Sequence, residues 1–328
     1  MRDFTAEQVG RAIRFRFTLP TDAVDGEGLT KPLEIEIFRS AETPPANKAS
    51  QPAPASVGQS WISLRPANLA GRDTEGKVGY VKALAPDEFN GSVGDMFHFA
   101  ARTLTRGFRG RPIESDSSNV ATLTLLDVPQ PVTGLAVEVT QAALNLRWSV
   151  PEQTLTGKSA SKISGYRVYR SERDSVSAPR TGYRTIGESH ETSYADPNFE
   201  FGHFYSYKVR AVVTGSGSSA ESPDSAAIEV APRDVFPPAA PAGVTGLFAA
   251  GAVELIWSPN LESDLAGYNI RRRQDGGQPE QLNKDLLRSP LYRDISVTTG
   301  HHYFYRVTAV DRSGNESAPS SEVEIEVR

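Results

Sequence analysis

YADPNFEFGHFYSYKVRA (Tyr194–Ala211) and YRDISVTTGHHYFYRVTA (Tyr292–Ala309) are one passage written twice, ninety-eight residues apart. Tyrosine, aspartate, glycine, tyrosine, tyrosine, valine and alanine recur in register: Tyr194/Tyr292, Asp196/Asp294, Gly202/Gly300, Tyr205/Tyr303, Tyr207/Tyr305, Val209/Val307 and Ala211/Ala309. Seven coincidences in eighteen positions mark an internal repeat, and a repeat governs the whole reading of the chain. Apolar and polar residues alternate with period two and no window carries a helical period, so the repeated unit is made of half-buried strands.

The likeness extends outward. LNLRWSVP brings Trp148 and Pro151 ahead of the first passage, VELIWSP brings Trp257 and Pro259 ahead of the second, and SGYRVYR or AGYNIRR follows each. VTGL, ending at Leu135 or Leu247, reads as the opening of each copy. The first third is a diverged copy. Phe4 to Phe17 spans the thirteen steps from Leu135 to Trp148, IEIFRS (Ile35–Ser40) overlays YRVYRS (Tyr166–Ser171), and GDMFHFAA keeps Gly94 three residues before Phe97, with Phe99 following. Phe17 thus stands where the tryptophans stand, and Phe97 where Tyr205 and Tyr303 stand.

A proline-rich entry, a tryptophan strand, a Gly-Tyr strand, Tyr-x-Asp, Gly-x-x-Tyr-x-Tyr-x-Val-x-Ala and then VDRSGNESAPS together resemble the fibronectin type III domain. The resemblance implies an all-β chain of three tandem immunoglobulin-like, seven-stranded sandwiches arranged as an extended rod. Their expected bounds are 1–128, with a Pro/Ala/Ser-rich insert near 41–60, then 129–235 and 236–328. It further implies that Phe17, Trp148, Trp257, Phe97, Tyr205 and Tyr303 are core residues. Tyr205 and Tyr303 would be corner tyrosines whose hydroxyls return to the upstream backbone, which Phe97 cannot do. The joining segments LLDVPQPVTG and VAPRDVFPPAAPAGVTG read as short, semi-rigid proline-rich linkers.

Composition narrows the function classes. With 328 residues, 38% of them hydrophobic, the chain can bury several modest cores. It has no cysteine, which excludes disulfides and thiolate chemistry. The net charge of −5 is spread as −1, −1 and −3 over the three thirds, so no basic footprint for nucleic acid exists. No apolar run approaches the ~18 residues of a membrane span, and MRDFTAEQVG is no signal core. With its first strand at the very start, the chain is expected to have an export segment, with a possible lipid anchor, upstream of Met1.

Catalytic and metal motifs are weighed next. His301 and His302 are adjacent on a strand and point to opposite faces, so they read as scaffold, as do His203, His98 and His190. H-E-x-x-H and G-x-S-x-G do not occur. Asp22, Asp25 and Glu27 in DAVDGEG offer oxygen ligands but fall short of a calcium loop. Asn90 and Asn315 are glycosylation acceptors only on a eukaryotic secretory path. Trp61 is the one tryptophan without a place in the repeat, and a carbohydrate contact would need it on the surface. RTLTRGFRGRPIE gathers Arg102, Arg106, Arg109 and Arg111 around Phe108 at the end of the first copy, the composition of a partner-binding loop.

No enzyme, cofactor or metal is therefore expected. The reading is a monomeric extracellular or cell-envelope interaction and spacer protein with a protein or polysaccharide partner. Its alternatives are an accessory, carbohydrate-binding region of a secreted hydrolase and an intracellular scaffold.

Overall fold

The computed structural model describes residues 1–21, 33–41, 59–65, 67, 76–106, 109 and 111–328. It divides into two compact units, Met1–Pro232 and Arg233–Arg328, which are taken in turn.

The first unit begins with β1 (Thr5–Val9), β2 (Ala12–Phe17), β3 (Glu34–Ala41), β4 (Gln59–Leu64), β5 (Val78–Ala83), the short helix α1 (Pro86–Ser92), β6 (Met96–Arg106), β7 (Pro112–Glu114) and β8 (Ala121–Thr124). It continues with β9 (Thr133–Val139), β10 (Leu144–Ser149), β11 (Ile163–Arg173), β12 (Arg184–Ser189), β13 (Ser193–Asp196), β14 (Phe204–Gly215), β15 (Ser218–Glu221) and β16 (Ile228–Val230). The second unit holds β17 (Thr245–Ala249), β18 (Ala252–Ile256), β19 (Leu265–Gln274), β20 (Glu280–Gln281), β21 (Leu291–Asp294), β22 (His301–Asp311) and β23 (Val323–Val327).

Alternation dictates the packing. In β2 the residues Ile13, Phe15 and Phe17 are buried while those between them are only partly covered, so one face of the strand is apolar. Such faces meet in pairs. The sheet β17-β18-β21 opposes β20-β19-β22-β23 in the second unit, and β13-β10-β9 opposes the sheet built on β11 and β14 in the first. Each pair encloses its own aromatic and aliphatic cluster, and a third cluster lies under β1, β2, β3 and β6. These are β-sandwiches. Phe17, Trp148, Trp257, Phe97, Tyr205 and Tyr303 are all buried in those clusters.

The first unit departs from separate beads on a linker. β15 pairs antiparallel with β14 and, on its other side, parallel with β1, through Gln8↔Ala220 and Val9↔Glu221. One sheet therefore runs β12-β11-β14-β15-β1-β2-β5 across both cores. The supposed linker is part of the interior: Leu125, Val128 and Val132 are buried, and Val128 packs with Val213, Ala220, Leu126 and Leu155. Gly10 permits this approach. Its φ is +59°, and a Cβ there would meet the ring of Pro223 at 3.0 Å.

The register also corrects the VTGL alignment. Gly134 and Gly243, both at φ +66°, each face the serine after the tryptophan, Ser149 or Ser258. Counted from that point, Leu247 matches Glu138 rather than Leu135. Accordingly, Leu247 pairs with Glu254 and is 57% exposed. A four-residue match is too short to fix register, whereas the tryptophan spacing does.

Candidate functional site

Each tryptophan meets the tyrosine of the Gly-Tyr strand edge-on: Trp148 and Tyr166 at 5.3 Å, Trp257 and Tyr268 at 5.1 Å between ring centres. The Tyr205 hydroxyl accepts the Glu200 N–H at 2.8 Å, and the Tyr303 hydroxyl accepts the Thr298 N–H at 3.0 Å. Beside each lies a buried charge network. Tyr207 and Arg170 both donate to Oδ2 of Asp196, at 2.8 and 2.7 Å. Tyr305 and Arg272 do the same to Asp294, at 2.9 and 2.7 Å. Burial raises the Asp294 carboxyl, but donors from Ser296, Tyr305 and Arg272 outweigh that and hold it below the usual carboxylate range. Burial, reinforced by Asp294, pushes the Tyr305 phenol up. Arg170 and Arg272 also lie over the rings of Tyr205 and Tyr303, at 5.2 and 5.1 Å.

In the first copy the same positions carry different chemistry. Arg39 pairs with Phe99, as Arg170 pairs with Tyr207 and Arg272 with Tyr305. It still lies over Phe97, at 5.4 Å. There is no phenol at 99, and the register partner of Ile13 is Lys82, where Asp196 and Asp294 stand opposite Leu144 and Val253. Arg39 turns instead to Glu88 of α1 at 3.0 Å. It also covers Trp61 at 4.4 Å, and Trp61 stacks on Phe99 at 5.8 Å between centres. Trp61 is thus packed against the core, and the surface stacking platform that a sugar contact needs is not formed by it.

A second repeated device escaped the sequence reading: Glu-Ser-x-x-Ser, at Glu114–Ser118, Glu221–Ser225 and Glu316–Ser320. Each serine hydroxyl accepts a backbone N–H of the neighbouring long strand at 2.9–3.0 Å: Thr103 and Ala101, Ala211 and Val209, Ala309 and Val307. Each glutamate takes a donor from one and the same position of that strand: Arg102 at 2.5 Å, Arg210 at 2.7 Å, Thr308 at 2.5 Å. Only the pattern of three sequence-distant serine pairs could have revealed it.

That device reassigns Arg102. It lies on β6, bonded to Glu36 at 2.7 Å and Glu114 at 2.5 Å and stacked 4.8 Å over Phe38, so it belongs to the scaffold rather than to the loop. Arg106 ends β6, and Arg109 and Arg111 lie between β6 and β7, all three exposed, with Arg109 at φ +56°. Phe108 lies outside the described residues, as do Asp22, Asp25 and Glu27.

The corresponding cluster of the second copy is buried. Glu221 accepts from Arg210, Arg167 and the Tyr169 hydroxyl. Burial would raise its pKa, but the donors, Arg210 first, hold it below the ordinary value. Tyr169 is pushed up to about 12, by burial and then by the Glu221 charge.

The histidines are dispersed: His301 meets Asp275 at 3.1 Å, His302 meets Glu324 at 2.7 Å, His98 meets Thr122 and His190 the Ser164 carbonyl. His203 faces Glu200 and Asp174. Carboxylates of Asp234, Asp264 and Asp311 lie within 4.8 Å of one another, an arrangement that could hold a divalent cation. Asp311 and Asp234 there already accept hydrogen bonds from Asn315 and Ser313.

Residues 129–228 match the Fibronectin type III domain family. Over 203 residues, 60% of its length, the chain is 28% identical to Exoglucanase B of Cellulomonas fimi. Over 89 residues, 26% of its length, it is 43% identical to an Amylopullulanase of Thermoanaerobacter thermohydrosulfuricus. The matches span 16% and 6% of those two relatives. A solved segment of two fibronectin type III domains from chicken tenascin covers 60% of this chain and 99% of its own, at 18% identity and a TM-score of 0.38.

Proposed function

We propose, from the fibronectin type III domain in residues 129–228, that this chain is a non-catalytic accessory region of a larger extracellular polysaccharide-acting protein, spacing and orienting other parts. The observation that carries the reading is the β1–β15 pairing, which continues one sheet across two cores. A spacer transmits position only if its joints are stiff, and shared backbone hydrogen bonds with a buried joint supply that stiffness. Support also comes from relatives named as an exoglucanase and an amylopullulanase, of which the matched region is a small part. The packing of the partly buried Trp61 against Phe99 and under Arg39 favours spacing over sugar binding.

Two measurements on the full chain test this. Amide relaxation is expected to give one rotational correlation time for the described strands β1–β8 and for β9–β16; two independent times would remove the stiff joint. Incubation with microcrystalline cellulose or starch granules is expected to leave the protein in solution. Depletion by either would replace spacing with carbohydrate binding.

A further inference from the structure

The outward face of the sheet β17-β18-β21 differs in kind from the same face of the other two copies. Counted from the tryptophan, the matching positions of the second copy carry Glu138, Arg147 and Ser193. Arg147 there reaches Glu138 at 2.5 Å, so that face is charged and wet. Counted from Phe17, the first copy carries Glu7, Arg16 and Gly79. The third carries Leu247, Ile256 and Leu291. Ile256 stands directly beside Leu291 across the strands, and the two are 60% and 58% exposed. Ile295, one residue past the end of β21, is exposed as well. Adjacent aliphatics on one sheet face, each more than half in water, mark a surface that another surface covers.

We infer that this face is where two molecules of the chain pair, sheet against sheet, about a two-fold axis. A two-fold contact needs a surface complementary to itself. The charges supply the second half of that requirement. In the row next to Ile256 and Leu291, Glu254 stands beside Arg293, which approaches it at only 3.7 Å, and both are half-exposed. An axis running along the strands, midway between β18 and β21, lays Ile256 on Leu291 of the other molecule and Glu254 on Arg293 of the other molecule. Each contact is then made twice, apolar on apolar and acid on base.

The alternative axis, across the strands, sets Glu254 against Glu254 and Arg293 against Arg293, and like charges opposed in this way are unfavourable. One acid and one base also leave the patch without a net field that would select a strongly charged partner of another kind. Sheets stacked face to face keep their strands nearly aligned and about 10 Å apart, a gap that the aliphatic row fills. Leu247 and Ile295 lie at the margins of the contact. From strand spacings the face is about 17 Å long and about 14 Å wide, which puts the pairing among the small, weak interfaces, with dissociation on the order of 0.1–1 mM. The monomer expected from the sequence is then the dilute form.

Sedimentation equilibrium on the full chain, from about 10 µM to about 1 mM, is expected to fit a monomer and a dimer and nothing larger. Leu247→Glu, Ile256→Arg and Leu291→Ser together install the residues that the second copy already carries at these positions. That variant should stay monomeric throughout, with its melting temperature at the dilute end unchanged. Glu254→Arg alone, or Arg293→Glu alone, should weaken pairing about tenfold, because each opposes like charges across the axis. Both together exchange the charges and should restore it. A chain that stays monomeric at the highest concentration, association that continues past the dimer, a dimer indifferent to the triple substitution, or charge variants whose losses simply add would each overturn the inference.

Discussion

The side-chain amide of Gln8 grips the backbone of Leu126 from both sides: Nε2 donates to its carbonyl at 2.7 Å, and its N–H donates to Oε1 at 2.8 Å. Gln8 is 1% exposed, so these bonds are made away from water. The same Nε2 reaches the Gly10 carbonyl at 3.1 Å. A polar residue sits at this inward position of β1 because the segment joining the first two cores passes over it.

Gln8→Leu keeps the volume and removes the grip. It leaves the Leu126 N–H and carbonyl without partners, at about 1–3 kcal/mol for each buried group. The expected outcome is a lower denaturation midpoint, together with faster amide exchange along β1 and β15. Gln8→Glu retains the acceptor for the Leu126 N–H but loses the donor, so its loss should be smaller at a pH that keeps the new carboxyl protonated.

Glu221 makes stability depend on pH. Its folded pKa lies below the ordinary carboxylate value, because Arg210, Tyr169 and Arg167 outweigh the burial that would raise it. A depressed pKa contributes stability that is present above the unfolded value, near 4.5, and lost as pH falls through the folded value. Glu221→Gln should cost about 1–3 kcal/mol at pH 7, since it puts a neutral amide where Arg210, Arg167 and Tyr169 donate to a buried carboxylate, while Arg210 keeps Asp224 and Arg167 keeps Glu188. The gap between the two proteins should narrow steadily below pH 4.5. Denaturant melts at pH 7 and pH 3 measure it; a constant gap would mean that the carboxylate's charge contributes nothing.

Tyr205→Phe and Tyr303→Phe each remove one acceptor, for Glu200 or Thr298, and leave the ring under Arg170 or Arg272 in place. The expected loss is about 1 kcal/mol apiece. Tyr205→Leu removes the ring as well and should cost distinctly more, in keeping with a packing role for the aromatic face.

How far the sequence carried the fold follows from what burial does to residue choice. Tryptophan, tyrosine and glycine recur because few side chains fill those interior volumes or those backbone conformations, so their spacing exposed the repeat even where Phe97 and Phe99 replaced tyrosines. The β1–β15 joint was not legible, because parallel pairing between distant segments is made by backbone groups that every residue possesses. The paired serines were hidden for a related reason: serine is common, and its task here is to accept a backbone N–H, which leaves no hydrophobic period. Arg102 was misread because its partners, Glu36 and Glu114, come from elsewhere in the sheet, and a run of arginines in sequence does not show which of them the fold has already engaged.

The first copy offers the sharpest test of the buried network. Phe99 is fully buried at the position where Tyr207 and Tyr305 donate to a carboxylate. Phe99→Tyr should therefore destabilise the protein by about 1–3 kcal/mol, because the new hydroxyl has no acceptor. Lys82→Asp alone should also destabilise it, by placing a carboxylate in that corner with only Arg39 in prospect as a partner. Combined, the two substitutions restore the acceptor, the phenol and the neighbouring arginine of the other copies. The double variant is then expected to be more stable than the sum of the two single losses implies, by at least about 1 kcal/mol. Additive losses in a double-mutant cycle would show that Arg39, held by Glu88 at 3.0 Å, does not swing back, and that α1 has fixed this copy in its own arrangement.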